Sequence, residues 1–317
     1  MVLVPLLVLG VVALFAFAGC GLDVVGSKQP EQPAPPVPPP GPGPGPGPGP
    51  GPGPGPGPTP SPPDAYPKLI LTFGGATGSL RSYWRLAEAP GATKAKDEEP
   101  TQPKDADYHG GVTLGVPGVL RLGSDPSDTA AQFDGTTAYV EHAFDPLLNP
   151  VTAFTIEAWV RPELTQARTA VVVSSYEPKQ GRGFVLDIKR AAAGTMTARI
   201  RVGNNATFRA LEADLGDGTT YDGWRHLVAT FAKAGTASEL KLYVNAATVV
   251  TDAVFLNYVI ARTPATFRIG GGQDESAVAP PGPAAAFFPG RIDEVALYDI
   301  ALGPAPIKQH FDVATSK

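Results

Sequence analysis

Of 317 residues, 37 are Pro and 37 are Gly, and 20 of those Pro with 9 of those Gly crowd into the 38 residues from Pro30 to Pro67, where no packed core can form. The remainder is long enough for one sizeable domain. A formal charge of −5, from 25 Lys+Arg against 30 Asp+Glu, argues against a nucleic-acid partner, and the single cysteine, Cys20, excludes both an intrachain disulfide framework and a Cys-based zinc cluster.

The chain opens on an address. Val2 to Leu22 carries no charge, and as a helix it would extend roughly 32 Å, about one bilayer core. It contains Phe17-Ala18-Gly19-Cys20, which resembles the lipobox of bacterial lipoprotein signal peptides, although Phe17 stands where Leu, Val or Ile is usual and no Lys or Arg precedes the apolar run. The resemblance implies a signal peptide over 1–19, acylation of Cys20, and a protein held on a membrane of the bacterial cell envelope, facing outward. An A-x-A-like site at Ala16-Phe17-Ala18 and an uncleaved N-terminal anchor stay open as alternatives, and the bulk of the chain is exported in each.

Residues 20–67 read as a Pro/Gly-rich disordered linker. Proline lacks the backbone donor and fixes φ, so the tract favours polyproline II, at most roughly 120 Å over 38 residues, softened by its alternating glycines. Collagen needs Gly every third residue, whereas the array from Gly41 to Pro58 has it every second. The tract suits a stalk.

From Lys68 onward short alternating segments appear, separated by Gly, Pro, Asp and Asn. Strands are predicted near Leu69–Phe73, Tyr83–Glu88, Ala130–Phe133, Tyr139–His142, Thr152–Arg161, Ala170–Tyr176, Phe184–Lys189, Thr197–Val202, His226–Phe231, Leu240–Val244, Phe267–Ile269 and Arg291–Tyr298. In FTIEAWVRP, Phe154, Ile156, Ala158 and Val160 alternate with Thr155, Glu157, Trp159 and Arg161, as a strand with one core face requires. In RIDEVALYD, strict alternation puts Ile292, Glu294, Ala296 and Tyr298 on one face, and Asp293 with Val295 and Leu297 on the other. Gly303-Pro304 opens a short helix with Ile307 and Phe311 on one stripe. Many short strands without intervening helices predict an all-β, two-sheet antiparallel sandwich over 68–317.

YWRLAE, YHGGVTLGVPGVL, AAQFDG, FTIEAWVRP, WRHLVATF, LYVN, FRIGGG and FFPGRIDEVALYD follow one another in this order between Tyr83 and Asp299. Together they resemble the laminin-G-like, concanavalin A-like lectin/glucanase jelly roll of bacterial surface proteins. The resemblance implies two curved sheets with a short C-terminal helix. Relatives usually read Asn-Gly or Asp-Gly after LYV; here Asn245 precedes Ala246, which predicts a shifted or longer turn.

No catalytic pattern accompanies the fold. The glucanases of this fold carry two carboxylates on one strand face in an E-x-D-x-x-E pattern, which does not occur here. Asp293 and Glu294 are adjacent, and regular alternation sends them to opposite faces. The histidines, His109, His142, His226 and His310, lack zinc-hydrolase spacing. The expectation is therefore a non-catalytic module that binds a glycan or a surface protein; a glycoside-active enzyme and a purely structural envelope protein are the alternatives. Candidate ligand-binding residues are Glu157, Trp159 and Arg161 on the mixed strand face, with Tyr176 and Tyr221 near strand ends. Against this, Trp84, Trp159 and Trp224 all stand inside fold-defining motifs, where core tryptophan is expected. Relatives hold structural Ca²⁺, for which Asp134 and Asp293 are the acids within matched motifs, although Asp134 also suits plain turn support.

Overall fold

The computed structural model describes residues 64–77, 79–216, 220–253, 259–276 and 282–316. The apolar N-terminal run, Cys20 and the Pro-Gly tract lie outside them. Among the described residues no helix is long and apolar enough to cross a membrane.

The elements in chain order are α1 (Ala65–Thr77), β1 (Leu80–Trp84), β2 (Lys94–Ala95), β3 (Ala106–His109), β4 (Thr113–Pro117), β5 (Thr129–Asp134), β6 (Tyr139–His142), β7 (Ala153–Pro162), β8 (Arg168–Glu177), β9 (Arg182–Arg190), β10 (Met196–Asn204), β11 (Phe208–Asp214), β12 (Arg225–Ala234), β13 (Ala237–Val244), β14 (Ala247–Ala253), β15 (Phe267–Ile269), β16 (Gly272–Gln273), β17 (Ala284–Ala285), β18 (Pro289–Tyr298) and α2 (Pro304–Thr315). One sheet runs β14-β13-β12-β7-β18-β5-β4, with β1 also paired to β18; the other runs β11-β10-β9-β8-β15-β6-β3-β2. Two antiparallel sheets stacked in this way form the expected jelly-roll sandwich. We refer to them as the helix-side sheet and the open sheet.

The alternation read from β7 holds. Phe154, Ile156, Ala158 and Val160 all enter the core between the sheets. Across from them stand Phe184, Leu186 and Ile188 of β9, with Phe154 and Phe184 stacked at 4.8 Å between ring centroids. Each such side chain contributes roughly 1.5–3 kcal/mol by leaving water. The outward residues of β7, Thr155, Glu157 and Trp159, are also fully buried, because α1 and α2 cover that face of the helix-side sheet. Trp84, Trp159 and Trp224 are core residues, each at most 2% exposed.

Three local expectations are corrected. The strand predicted over Leu69–Phe73 is part of α1: Tyr66 and Ile70, four apart, are both buried in the second core, and a short apolar run does not by itself separate strand from buried helix. A boundary at Lys68 would cut Tyr66 away. In β18 the strict alternation breaks. The register to β7 slips between Asp293 and Ala296, Glu294 adopts φ 50°, and Val295 and Leu297 join Ile292 in the main core. This β-bulge turns Asp293 and Glu294 toward the same side, where regular alternation had placed them apart. Finally, the turn after Tyr243 and Val244 is not lengthened: Val244 pairs with Ala247, Asn245 and Ala246 sit at φ 52° and 62° in a two-residue hairpin loop, and the register shift falls earlier, between Leu242 and Tyr243.

Left-handed backbone brings the Cβ of Ala246 against its own carbonyl, at a cost of order 1 kcal/mol. Ala246→Gly is therefore expected to stabilise the domain by about 1 kcal/mol, read as a higher urea midpoint at unchanged slope. A midpoint that stays put or falls would show that this turn carries no strain.

Candidate functional site

The two outer faces of the sandwich differ. On the helix-side sheet, Glu157 is fully buried and takes hydrogen bonds from the hydroxyl of Tyr66 (2.8 Å), from His226 Nε2 (2.8 Å) and from His310 Nδ1 (2.9 Å). Burial pushes its carboxyl up, but His310 and His226 outweigh that and hold it well below the usual carboxylate range. Trp159 stacks between His226 at 4.6 Å and Phe311 at 5.6 Å. Glu157 and Trp159, expected on a binding face, are thus sealed beneath the helices. Arg161 donates from Nε to the carbonyl of Asp222 at 2.7 Å, and Tyr221 packs edge-on against Phe311 at 5.2 Å. These four belong to the packing around α2 and its neighbouring turn.

The outer face of the open sheet carries a groove instead. Strand alternation sends Ser174 and Tyr176 of β8, Val185 and Asp187 of β9, and Arg199 and Arg201 of β10 outward, while Phe184, Leu186, Ile200 and Val202 point into the core. Asp187 is fully buried at the base; Arg199 grips it from Nε (2.9 Å) and Nη2 (3.1 Å), and Arg201 Nη2 reaches the same carboxylate at 3.0 Å. The Arg201 guanidinium lies 5.4 Å from the ring centroid of Tyr176. The β16–β17 hairpin walls the groove through Gln273 and Ala285.

Two hollows of about 310 and 510 Å³ share Tyr176, Pro178, Arg201 and Glu275. The larger adds Lys179, Asn205 and Phe208, the last 63% exposed. Of the residues expected from sequence, Tyr176 alone lies here. Arg199, Arg201, Asp187, Gln273 and Phe208 were missed, although the strands predicted over Phe184–Lys189 and Thr197–Val202 already put Asp187 on an alternating face and both arginines on one face. What was lacking was the register that sets Arg199 opposite Asp187.

The metal candidates separate as well. Asp134 supports a turn. Its Oδ1 accepts from the backbone N–H groups of Thr136, Thr137 and Ala138, and its Oδ2 from the Thr137 hydroxyl. These donors override the mild effect of burial and hold the carboxyl well below its ordinary value, as turn support requires. Asp293 is different. It is fully buried, and the bulge brings a carboxylate oxygen of Asp293, of Glu294 and of Asp128 within 4.8 Å of one another. Glu294 takes the Tyr83 hydroxyl and Arg85 Nε (3.1 Å), Asp128 takes Arg85 Nη2 (3.2 Å), and Asp293 Oδ2 takes the Val119 N–H (2.8 Å). Asp293 Oδ1 has no partner. Burial, then repulsion from Asp128 and Glu294, pushes the Asp293 carboxyl well up; burial also raises Glu294 to about 8 against the pull of Arg85. Three carboxylates facing one guanidinium, with an orphaned oxygen, fit a hard divalent cation.

The chain belongs to the concanavalin A-like lectin/glucanases superfamily: its laminin G family model matches residues 134–308, more than half of the sequence. No curated protein matches this chain. Among solved structures, the binding domain of Paraclostridial Mosquitocidal Protein 1 superposes with a TM-score of 0.52 at 13% identity, over 74% of this chain and 52% of that one. Botulinum neurotoxin type C, whose cell entry is dependent upon interaction with two ganglioside molecules, gives 0.54 at 12% identity, over 76% of this chain and 53% of that one. The binding domain of botulinum neurotoxin serotype G gives 0.51 at 9% identity, over 73% and 50%. This chain spans about half the length of the toxin structures it matches, and at such identities the likeness is one of fold.

Proposed function

We propose that this protein is an exported, lipid-anchored recognition protein of the bacterial envelope, whose sandwich domain binds a glycan or surface protein in the groove of the open sheet and performs no chemistry on it. The groove carries the reading: an exposed aromatic, a charged base and two joined hollows on the uncovered face of a rigid sandwich match what a saccharide requires of a site. The fold relatives that are toxin binding domains support a binding role. A non-catalytic role is supported by the burial of Asp128, Asp293 and Glu294, each at most 3% exposed, away from any sugar.

Phe208→Ala and Tyr176→Ala in the full chain, held in mild detergent, are expected to weaken binding on a glycan array at least tenfold, about 1.4 kcal/mol, with the melting temperature of the Phe208 variant unchanged. If retained saccharides ignore both variants, the groove is not the site; if no saccharide is retained, a surface protein is left as the ligand. The anchor has its own measurement. Mass spectrometry of the mature N-terminus is expected to find a diacylglyceryl-modified Cys20, and a free thiol there would overturn the lipoprotein reading.

The second part of the proposal is a structural Ca²⁺ held by Asp128 and Asp293 with Glu294 at its side. When bound, the ion would supply charge neutralisation for the buried carboxylates. Calcium at about a hundred times its dissociation constant is expected to add about 2.7 kcal/mol, a rise of roughly 5–10 °C in melting temperature relative to chelator. Asp293→Asn should remove the rise. Equal melting temperatures in calcium and chelator would exclude the ion.

A further inference from the structure

We infer that the ligand of the groove is an acidic saccharide, and that its carboxylate docks between Arg201 and Gln273. This rests on the reading of the groove as a glycan site. Most polar groups around the groove are matched: Asp187 is saturated by two guanidiniums, and Arg199 spends both its Nε and its Nη2 on it. Two donors on residues that line the smaller hollow are not. Gln273, on the β16–β17 hairpin, is only 7% exposed, yet its side-chain Nε2 has no acceptor, and Arg201 Nε is buried and likewise lacks one.

Leaving a buried N–H unmatched is costly, so two of them lining one hollow mark the place where an incoming acceptor belongs. A carboxylate has two oxygens, one for each donor. Charge points the same way. Asp187 is shared by Arg199 and Arg201, and Glu212, 3.8 Å from Arg199 Nη1, completes the surroundings of Arg199 alone. Arg201 is left with a shared counter-ion and an idle donor; in the adjoining hollow Lys179 adds a cation, which Glu275, lining both hollows, balances. Charge-assisted hydrogen bonds to an anion are the stronger kind, and Arg suits carboxylate recognition. Val171 and Val185 offer an apolar floor for a sugar face, with Tyr176 beside them, and Glu275 on the rim accepts from sugar hydroxyls. A neutral saccharide would leave the donors short of charge; an acidic one satisfies both.

The test uses the full chain in mild detergent and paired probes: uronic-acid oligosaccharides, the same oligosaccharides with their carboxylates reduced to alcohols, and a sulfated neutral oligosaccharide. Acidic probes are expected to bind at least tenfold more tightly than their reduced partners, with the preference shrinking as salt rises. Arg201→Gln and Gln273→Leu should each bring the acidic-to-reduced affinity ratio down to about one, with circular dichroism spectra like the parent's showing the variants to be folded. Equal binding of acidic and reduced probes overturns the inference and leaves the glycan reading standing, as does binding of the sulfated probe alone. A preference that survives both substitutions overturns the assignment to these two residues, and binding of no probe sinks both readings.

Discussion

The helix-side half of the molecule is organised around a charge that water never reaches. Glu157 receives Tyr66 from α1, His226 from β12 and His310 from α2, so one carboxylate ties both helices to the middle of the sheet. A lone buried carboxylate would be costly, and the three donors make the helices necessary to the sheet as much as the sheet is to the helices. Trp159, stacked on His226 and donating to the Tyr66 hydroxyl at 3.2 Å, closes the same arrangement. With that face sealed, the groove among the described residues lies on the outer face of the other sheet.

This asymmetry separates support from recognition. α1, through which the chain enters the domain, packs on the helix-side sheet, whereas Tyr176, Arg201 and Gln273 lie on the outer face of the sheet across the core. The groove and α1 therefore lie on opposite faces of the sandwich. The side chains of the groove rise from long strands, β8, β9 and β10, each backed by core residues such as Phe184 and Ile200, so their positions are set by packing and not by loop conformation.

Much of the fold was legible because strand alternation is a local property. The inward set of β7 was read correctly from its own residues, and so were the core tryptophans and the helix opened by Gly303-Pro304. The candidate site was legible only at Tyr176. Glu157 and Trp159 had the composition of a binding face, and the alternation did place them outward; that two helices from opposite ends of the domain cover this face is a fact about residues 91 and 153 positions away from Glu157, which no local pattern records. Arg199 and Arg201 were visible as an alternating pair, but an arginine pair gains meaning only against Asp187 on the neighbouring strand.

The chain by itself determined an apolar, uncharged N-terminal run with one cysteine, a Pro-Gly tract and an antiparallel sandwich, each legible from short-range rules of charge, backbone freedom and period. Only the tertiary structure decided which face is sealed and which is open, that a bulge with Glu294 at φ 50° turns two neighbouring acids to one side, and which donors are left without acceptors. Those outcomes depend on strand register and on helices packing from distant parts of the chain, and both are settled by burial and pairing across the whole domain.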